Sequence, residues 1–247
     1  MLYPTLTEVQ ELLEEYDVVP VFYEVLSDSM TPIHIFNALK EQSDTCFILE
    51  SVDNTQWGRY SFIGIHPKME IRIKNGLATV AEGNSESHTP IDNPISFLTE
   101  ILNRYKSPSF PNRPKLTGGL VGYFGYDTVR YMEKKLSHPP KDDLDLPDCH
   151  LFLYDQLVAF SNKTVIIQNI HRNEDLTNRY AACESEAERL GAYLTEFTPL
   201  PHVPNNHPAP IVETNITKEQ HLENIRRAQE YIKDGDIFQV VLSRRLE

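Results

Sequence analysis

The stretch Lys68-Met-Glu-Ile-Arg-Ile-Lys74 alternates strictly, with Met69, Ile71 and Ile73 on one side and charged residues on the other. Successive side chains of a strand point to opposite faces, so this pattern is a half-buried strand and not a helix. Asn75-Gly76 follows, a pair that supplies the two positive-φ positions of a type I′ turn, and Leu77-Ala-Thr-Val80 returns. A hairpin with one apolar face commits the chain to an antiparallel sheet that must be covered on that face.

The flanking segments supply covers and further strands. Thr5-x-x-Glu8 reads as a capping box opening a helix with Val9, Leu12, Leu13 and Tyr16 on one stripe. Residues 18–26 predict a strand in which Pro20 marks an edge or a bulge. Thr31-Pro32 opens a helix carrying Ile35, Phe36 and Leu39, and strands follow at 45–52 and 57–65. Asn93-Pro94 caps a helix with Leu98, Ile101, Leu102 and Tyr105. A second hairpin is predicted from Leu151-Phe-Leu-Tyr-Asp-Gln-Leu-Val-Ala-Phe160 through Ser161-Asn162-Lys163 to Thr164-Val-Ile-Ile-Gln-Asn-Ile170. A long helix at 173–196 presents Leu176, Tyr180, Cys183, Ala187, Leu190 and Leu194 at helical spacing. Strand and helix do not alternate regularly, so the class is α+β, antiparallel sheets with helices on one side.

Residues 198–210 hold five of the 17 prolines and no periodic element. They predict a stiff linker between a domain at 1–197 and a segment at 211–247. In that segment Thr217-x-x-Gln220 caps a helix with Leu222, Ile225 and Ile232 on one face, Gly235 ends it, and Ile237–Arg245 predicts a strand. One helix and one strand cannot close a core, so 211–247 reads as the opening of a second domain, interrupted at Glu247.

Composition excludes several functions. There are 23 Lys and Arg against 36 Asp and Glu, a net charge of −13, the wrong sign for nucleic acid or an anionic membrane surface. No apolar run reaches the roughly 18 residues of a membrane span, and the acidic N-terminus is no signal peptide. Three cysteines, Cys46, Cys149 and Cys183, include no C-x-x-C, which points to a reducing, cytoplasmic setting. The nine histidines form no H-E-x-x-H, and no G-x-S-x-G is present. Asp142, Asp143, Asp145 and Asp148 lack the spacing of a calcium loop and read as a solvated turn.

Three places could carry chemistry. Gly118-Gly-Leu-Val-Gly-Tyr-Phe-Gly-Tyr-Asp127 predicts a strand closely approached by another backbone, with Asp127 capping a short helix. Glu50 and Ser51 end an apolar strand, either as a satisfied sheet terminus or as the wall of a pocket for an amino acid. They face one pocket together only where the strand ends or bulges. Gln239, between Phe238 and Val240, is a core amide or a cavity residue, and Arg244 and Arg245 could receive an anion.

Four stretches together resemble the large, chorismate-binding subunit of anthranilate synthase, component I. They are Phe47-Ile-Leu-Glu-Ser51, Trp57-Gly-Arg-Tyr-Ser-Phe-Ile-Gly64, Gly118–Asp127 with Val129-Arg130, and Gly235–Arg245. The match runs the whole chain but only about the N-terminal half of the family's usual length. It implies an α/β/β/α layered fold with orthogonally packed antiparallel sheets, incomplete at the C-terminus, and a regulatory domain at 1–197. It also implies a lyase that joins chorismate and ammonia, with Mg2+, to give anthranilate and pyruvate. The ammonia comes from a glutamine amidotransferase subunit, component II, and tryptophan inhibits. The family's regulatory motif falls on Leu49, Glu50 and Ser51, with Arg59 as a weaker contact. Gln239 falls where water-adding relatives carry a lysine base. The metal carboxylates and most chorismate contacts would lie beyond Glu247, so these 247 residues alone are expected to be inactive. Two other readings stand beside this one: the folate-pathway sister, aminodeoxychorismate synthase component I, and a non-catalytic amino-acid-binding module.

Overall fold

The computed structural model describes residues 1–26, 30–50, 60–136, 141–161, 163–196 and 212–246. The chain divides into two compact units, Met1–Pro199 and Leu200–Glu247. In chain order the first unit carries α1 (Leu6–Leu12), β1 (Val18–Val25), α2 (Pro32–Leu39), β2 (Cys46–Leu49), β3 (Ser61–Ile65), β4 (Met69–Lys74), β5 (Leu77–Glu82) and β6 (Ser85–Pro90). Then come α3 (Pro94–Leu102), β7 (Gly119–Phe124), β8 (Cys149–Tyr154), β9 (Gln156–Phe160), β10 (Thr164–His171) and α4 (Leu176–Glu196).

The strands form two five-stranded antiparallel sheets, ordered β1-β10-β9-β3-β2 and β6-β5-β4-β8-β7. The α+β reading holds, and side-chain alternation explains the layering. On the first sheet Ile63, Ile65, Val158 and Ile166 face away from the second sheet and pack under α2 and α4, against Ile35, Leu39, Ala187 and Leu190. Beside them Val19, Val21 and Ile170 meet Val9 of α1 and Cys183 of α4. On the second sheet Met69, Ile71, Ile73, Leu151 and Leu153 pack against Leu98 and Ile101 of α3. The opposite faces meet in a shared layer, where Phe22, Leu157, Ala159, Val165 and Ile167 pack with Val121, Phe152 and Tyr154.

Local signals are realised where a nearby side chain can act on the backbone. Thr5 and Glu8 close the capping box, and Thr31 and Asn93 cap α2 and α3 ahead of Pro32 and Pro94. Asn75 and Gly76 take φ of 49° and 76°, as the hairpin turn requires. Pro20 sits on the edge strand β1. Two residues on, Phe22 exchanges hydrogen bonds with Tyr3 on the outer side, at 3.0 and 2.7 Å. Pro20 therefore faces outward as well, and its missing N–H breaks no bond to β10.

Three expectations are corrected, and one strand is added. The run 151–160 is not one hairpin arm: Asp155 separates β8 from β9, which belong to different sheets. Both halves are buried on two faces, so their apolar pattern is continuous across the break. Asp127 is not a helix cap. The 3-10 turn Tyr126–Tyr131 begins one residue earlier, with Gly125 in the cap position, and Asp127 Oδ1 accepts from Arg130 Nε at 2.7 Å. Strand β6 went unforeseen because Ser85–Pro90 is polar and exposed throughout, an outer strand with no buried face to pattern it. In the second unit α5 (Lys218–Asp234) has its capping box and its Gly235 terminus at φ 82°, but no strand follows. Thr214 and Leu246 make an isolated bridge, and Phe238 and Val241 are 93% and 81% exposed. Among the described residues this segment pairs side by side with other backbone only at its end, where the Asn215 N–H bonds the Arg245 carbonyl at 3.2 Å, too short a pairing to make a strand.

The glycine-rich β7 is, as its composition predicts, a strand in close backbone approach. A methyl group on Gly122 would overlap the His150 carbonyl oxygen of β8, and one on Gly118 would stand 2.9 Å from the Tyr154 carbonyl oxygen. Gly122→Ala is expected to destabilise the chain by about 1–3 kcal/mol, seen as a lower urea midpoint. An unchanged midpoint would show that β7 can slide away from β8 at no cost.

Candidate functional site

Strand β2 lies at one edge of the first sheet. Cys46 and Ile48 pack toward α2 and α4, so Phe47 and Leu49 point the other way, into the layer between the sheets. Leu49 pairs with Phe62 of β3 and Phe47 pairs with Gly64. A side chain at Gly64 would strike the Phe47 ring, so the glycine is what lets that ring lie flat across β3. Phe47 meets Tyr154 edge-to-face at 4.8 Å, and Tyr60 and Phe62 lie 6.0 Å apart.

The result is an aromatic wall at the open margin of the layer: Phe47, Tyr60 and Phe62, with Tyr154 behind and Leu49 at the rim, 47% exposed. Burial pushes the Tyr154 hydroxyl up to about 12. Glu50 follows directly and is exposed. Because β2 ends at Leu49, Glu50 is released from strand alternation, the condition under which it could stand beside the wall. A flat apolar surface with a carboxylate at its end suits a ligand bearing a ring and an ammonium group.

The other expected site residues are placed as follows. Ser51 and Arg59 lie outside the described residues. Gln239 is exposed, in the irregular segment after α5. Among the described residues no three His, Cys, Asp or Glu side chains gather to hold a metal ion. The aspartate cluster is committed locally. Asp142 and Asp145 accept from Lys74 Nζ at 2.8 and 2.5 Å, and Asp148 accepts from Asn75 N and the Tyr131 hydroxyl at 2.9 and 2.7 Å. The Lys74 contact holds Asp142 below the usual carboxylate range. Among the described residues no helix is long and apolar enough to cross a membrane. The sequence reading missed the aromatic wall, although residues 47, 49, 60 and 62, all apolar or aromatic and alternating along two strands, carried its signal.

A family model described as chorismate binding enzyme matches residues 44–247. The chain belongs to the chorismate-binding enzyme family. Within it, anthranilate synthase component 1 of Acetivibrio thermocellus is 35% identical over 100% of this chain and 51% of that protein. The Acinetobacter calcoaceticus protein of the same name is 33% identical over 98% of this chain and 50% of its own length. The chain thus spans about half the length of the curated relatives it matches. The crystal structure of anthranilate synthase component I from Streptococcus pneumoniae aligns with a TM-score of 0.56 and 24% identity, covering 90% of this chain and 48% of that one. That alignment establishes the shared fold.

The wall also has a pH signature. Tyr154 stays protonated in the folded state to about 12, above the ordinary tyrosine value of 10.0. A raised folded value means that the unfolded chain loses this proton first. The contribution to stability is therefore full below pH 10 and is lost as pH rises toward 12. Tyr154→Phe is expected to flatten this alkaline loss in thermal melts taken across that range, and an unchanged alkaline limb would contradict it.

Proposed function

We propose that these residues serve the large subunit of anthranilate synthase. In this reading the complete enzyme is a lyase that adds ammonia to chorismate and releases pyruvate and anthranilate. A glutamine amidotransferase subunit, component II, supplies the ammonia, and the protein works in the cytoplasm. The observation that carries the reading is the 35% identity to a protein of that name along the whole chain. Magnesium, where the reaction uses it, would be held by carboxylates outside the described residues. The sister reading, aminodeoxychorismate synthase component I, is separated by a product assay on the full-length enzyme. Fluorescent anthranilate with released pyruvate supports the first, and a product that keeps the pyruvyl group supports the second.

Feedback inhibition by tryptophan is part of the proposal. The wall of Phe47, Leu49, Tyr60 and Phe62 supports it as a surface for the indole, and Glu50 as a partner for the ammonium. Ser51 and Arg59 complete the proposed set. Leu49→Ala and Glu50→Gln in the full-length enzyme are each expected to raise the half-inhibiting tryptophan concentration about tenfold, or about 1.4 kcal/mol, with uninhibited turnover retained. Loss of turnover together with inhibition would place these residues elsewhere.

Gln239 supports the amine-adding chemistry. Neutral ammonia is already a nucleophile, whereas water must surrender a proton to attack, and a glutamine amide cannot take it. Gln239→Lys in the complete enzyme is expected to yield a hydroxylated, water-derived product detectable by mass spectrometry. Its absence with ammonia-dependent turnover unaffected would remove Gln239 from the reacting centre.

A further inference from the structure

We infer that His171, Asp155 and Lys68 form a proton-driven exchange at the joint between the two sheets, in which protonation of the imidazole frees Lys68 into a neighbouring cavity. Asp155 is the residue at which the chain crosses from β8 to β9, and Lys68 is the residue before β4. His171 closes β10 and is 7% exposed. Its Nε2 lies 3.1 Å from Lys68 Nζ and 3.2 Å from Asp155 Oδ2.

These two bonds are mutually exclusive. An ammonium only donates and a carboxylate only accepts, so one ring nitrogen cannot accept from Lys68 and donate to Asp155 at once. With the neutral ring protonated on Nδ1, Nε2 accepts from Lys68. Once Nε2 is protonated it donates to Asp155, and two cations face each other at the same short distance. Lys68 and Asp155 are then left with a weaker contact of 3.8 Å. Both side chains are about three-quarters buried, so solvent screens this exchange incompletely.

The surroundings do not decide the matter in advance. Glu174 accepts from the His171 backbone N–H at 2.9 Å, and Asp17 and Glu82 line the cavity of about 400 Å³ that His171 and Lys68 also line; the three carboxylates favour an imidazolium by their charge. Arg104 and Arg172 line the same cavity and Arg179 reaches Glu174 at 3.8 Å; these oppose it. The Tyr105 ring meets His171 edge-on at 5.7 Å and holds its plane. The choice falls to the two groups that share Nε2. A released Lys68 has a destination, because it already lines this cavity, whose wall also carries the Glu82 carboxylate.

The test uses the intact chain from pH 8 down to pH 5. Long-range ¹⁵N–¹H correlation reads the His171 ring, and reductive methylation of Lys68 is timed against exposed Lys218. The expected result is a neutral ring protonated on Nδ1 at the upper end. As it becomes an imidazolium, Lys68 labelling should rise several-fold relative to Lys218. In Asp155→Asn the rise should move to lower pH together with ring protonation, since the carboxylate that favours a protonated Nε2 is gone. The inference is overturned by an Nε2-protonated neutral ring, by a relative rate that stays flat while the ring titrates, or by a ring that stays neutral down to acid unfolding.

Discussion

The layer shared by the two sheets is the constraint on which the rest of this structure depends. The first sheet is apolar on both faces and needs helices on one side and the second sheet on the other. The second sheet turns an apolar face to the layer only through β7 and β8, its β4 carrying Glu70, Arg72 and Lys74 there. Phe22, Leu157, Val165 and Ile167 from one sheet and Val121, Phe152 and Tyr154 from the other fill the layer. The chain enters and leaves it at Asp155, where the Asn169 amide N–H groups bond the Asp155 carbonyl at 3.1 and 2.9 Å. A backbone turning between two buried sheets has carbonyls that must be bonded, and Asn169 supplies that bond from the neighbouring strand.

The candidate ligand surface follows from the same layer. At the β2 edge of the first sheet, Tyr60 and Phe62 are half-buried against the layer and Leu49 is exposed. Burial still holds Phe47 and Tyr154 in place behind them, so the surface is rigid at its back and open at its rim. That arrangement sets ring positions before a ligand arrives, which lowers the ordering cost of binding. The close backbone contacts at Gly64 and Gly122 belong to this packing, since side chains there would push the wall and β7 out of place.

Much of this was legible in the residues. The capping boxes of α1 and α5, the Asn75-Gly76 turn and the proline-opened helices are local chemistry, completed within a few residues, and they appear where the sequence places them. The buried stripe of α4 through Cys183, Ala187, Leu190 and Leu194 was equally readable, because helical periodicity survives any partner. Glu50 could be named from its position at a strand end, but not the aromatic residues that β3 and β8 bring together with Phe47.

The sequence by itself determined where helices start, where hairpins turn and which faces are apolar, because caps, positive φ and side-chain alternation act over a few residues. Only the tertiary structure decided that the run 151–160 divides between two sheets, that Asp127 pairs with Arg130 instead of capping, and that Ile237–Arg245 finds no strand partner. It alone brought His171, Asp155 and Lys68 to one nitrogen's reach. Each of those outcomes depends on what stands opposite a residue in space, and a linear pattern records only what stands beside it.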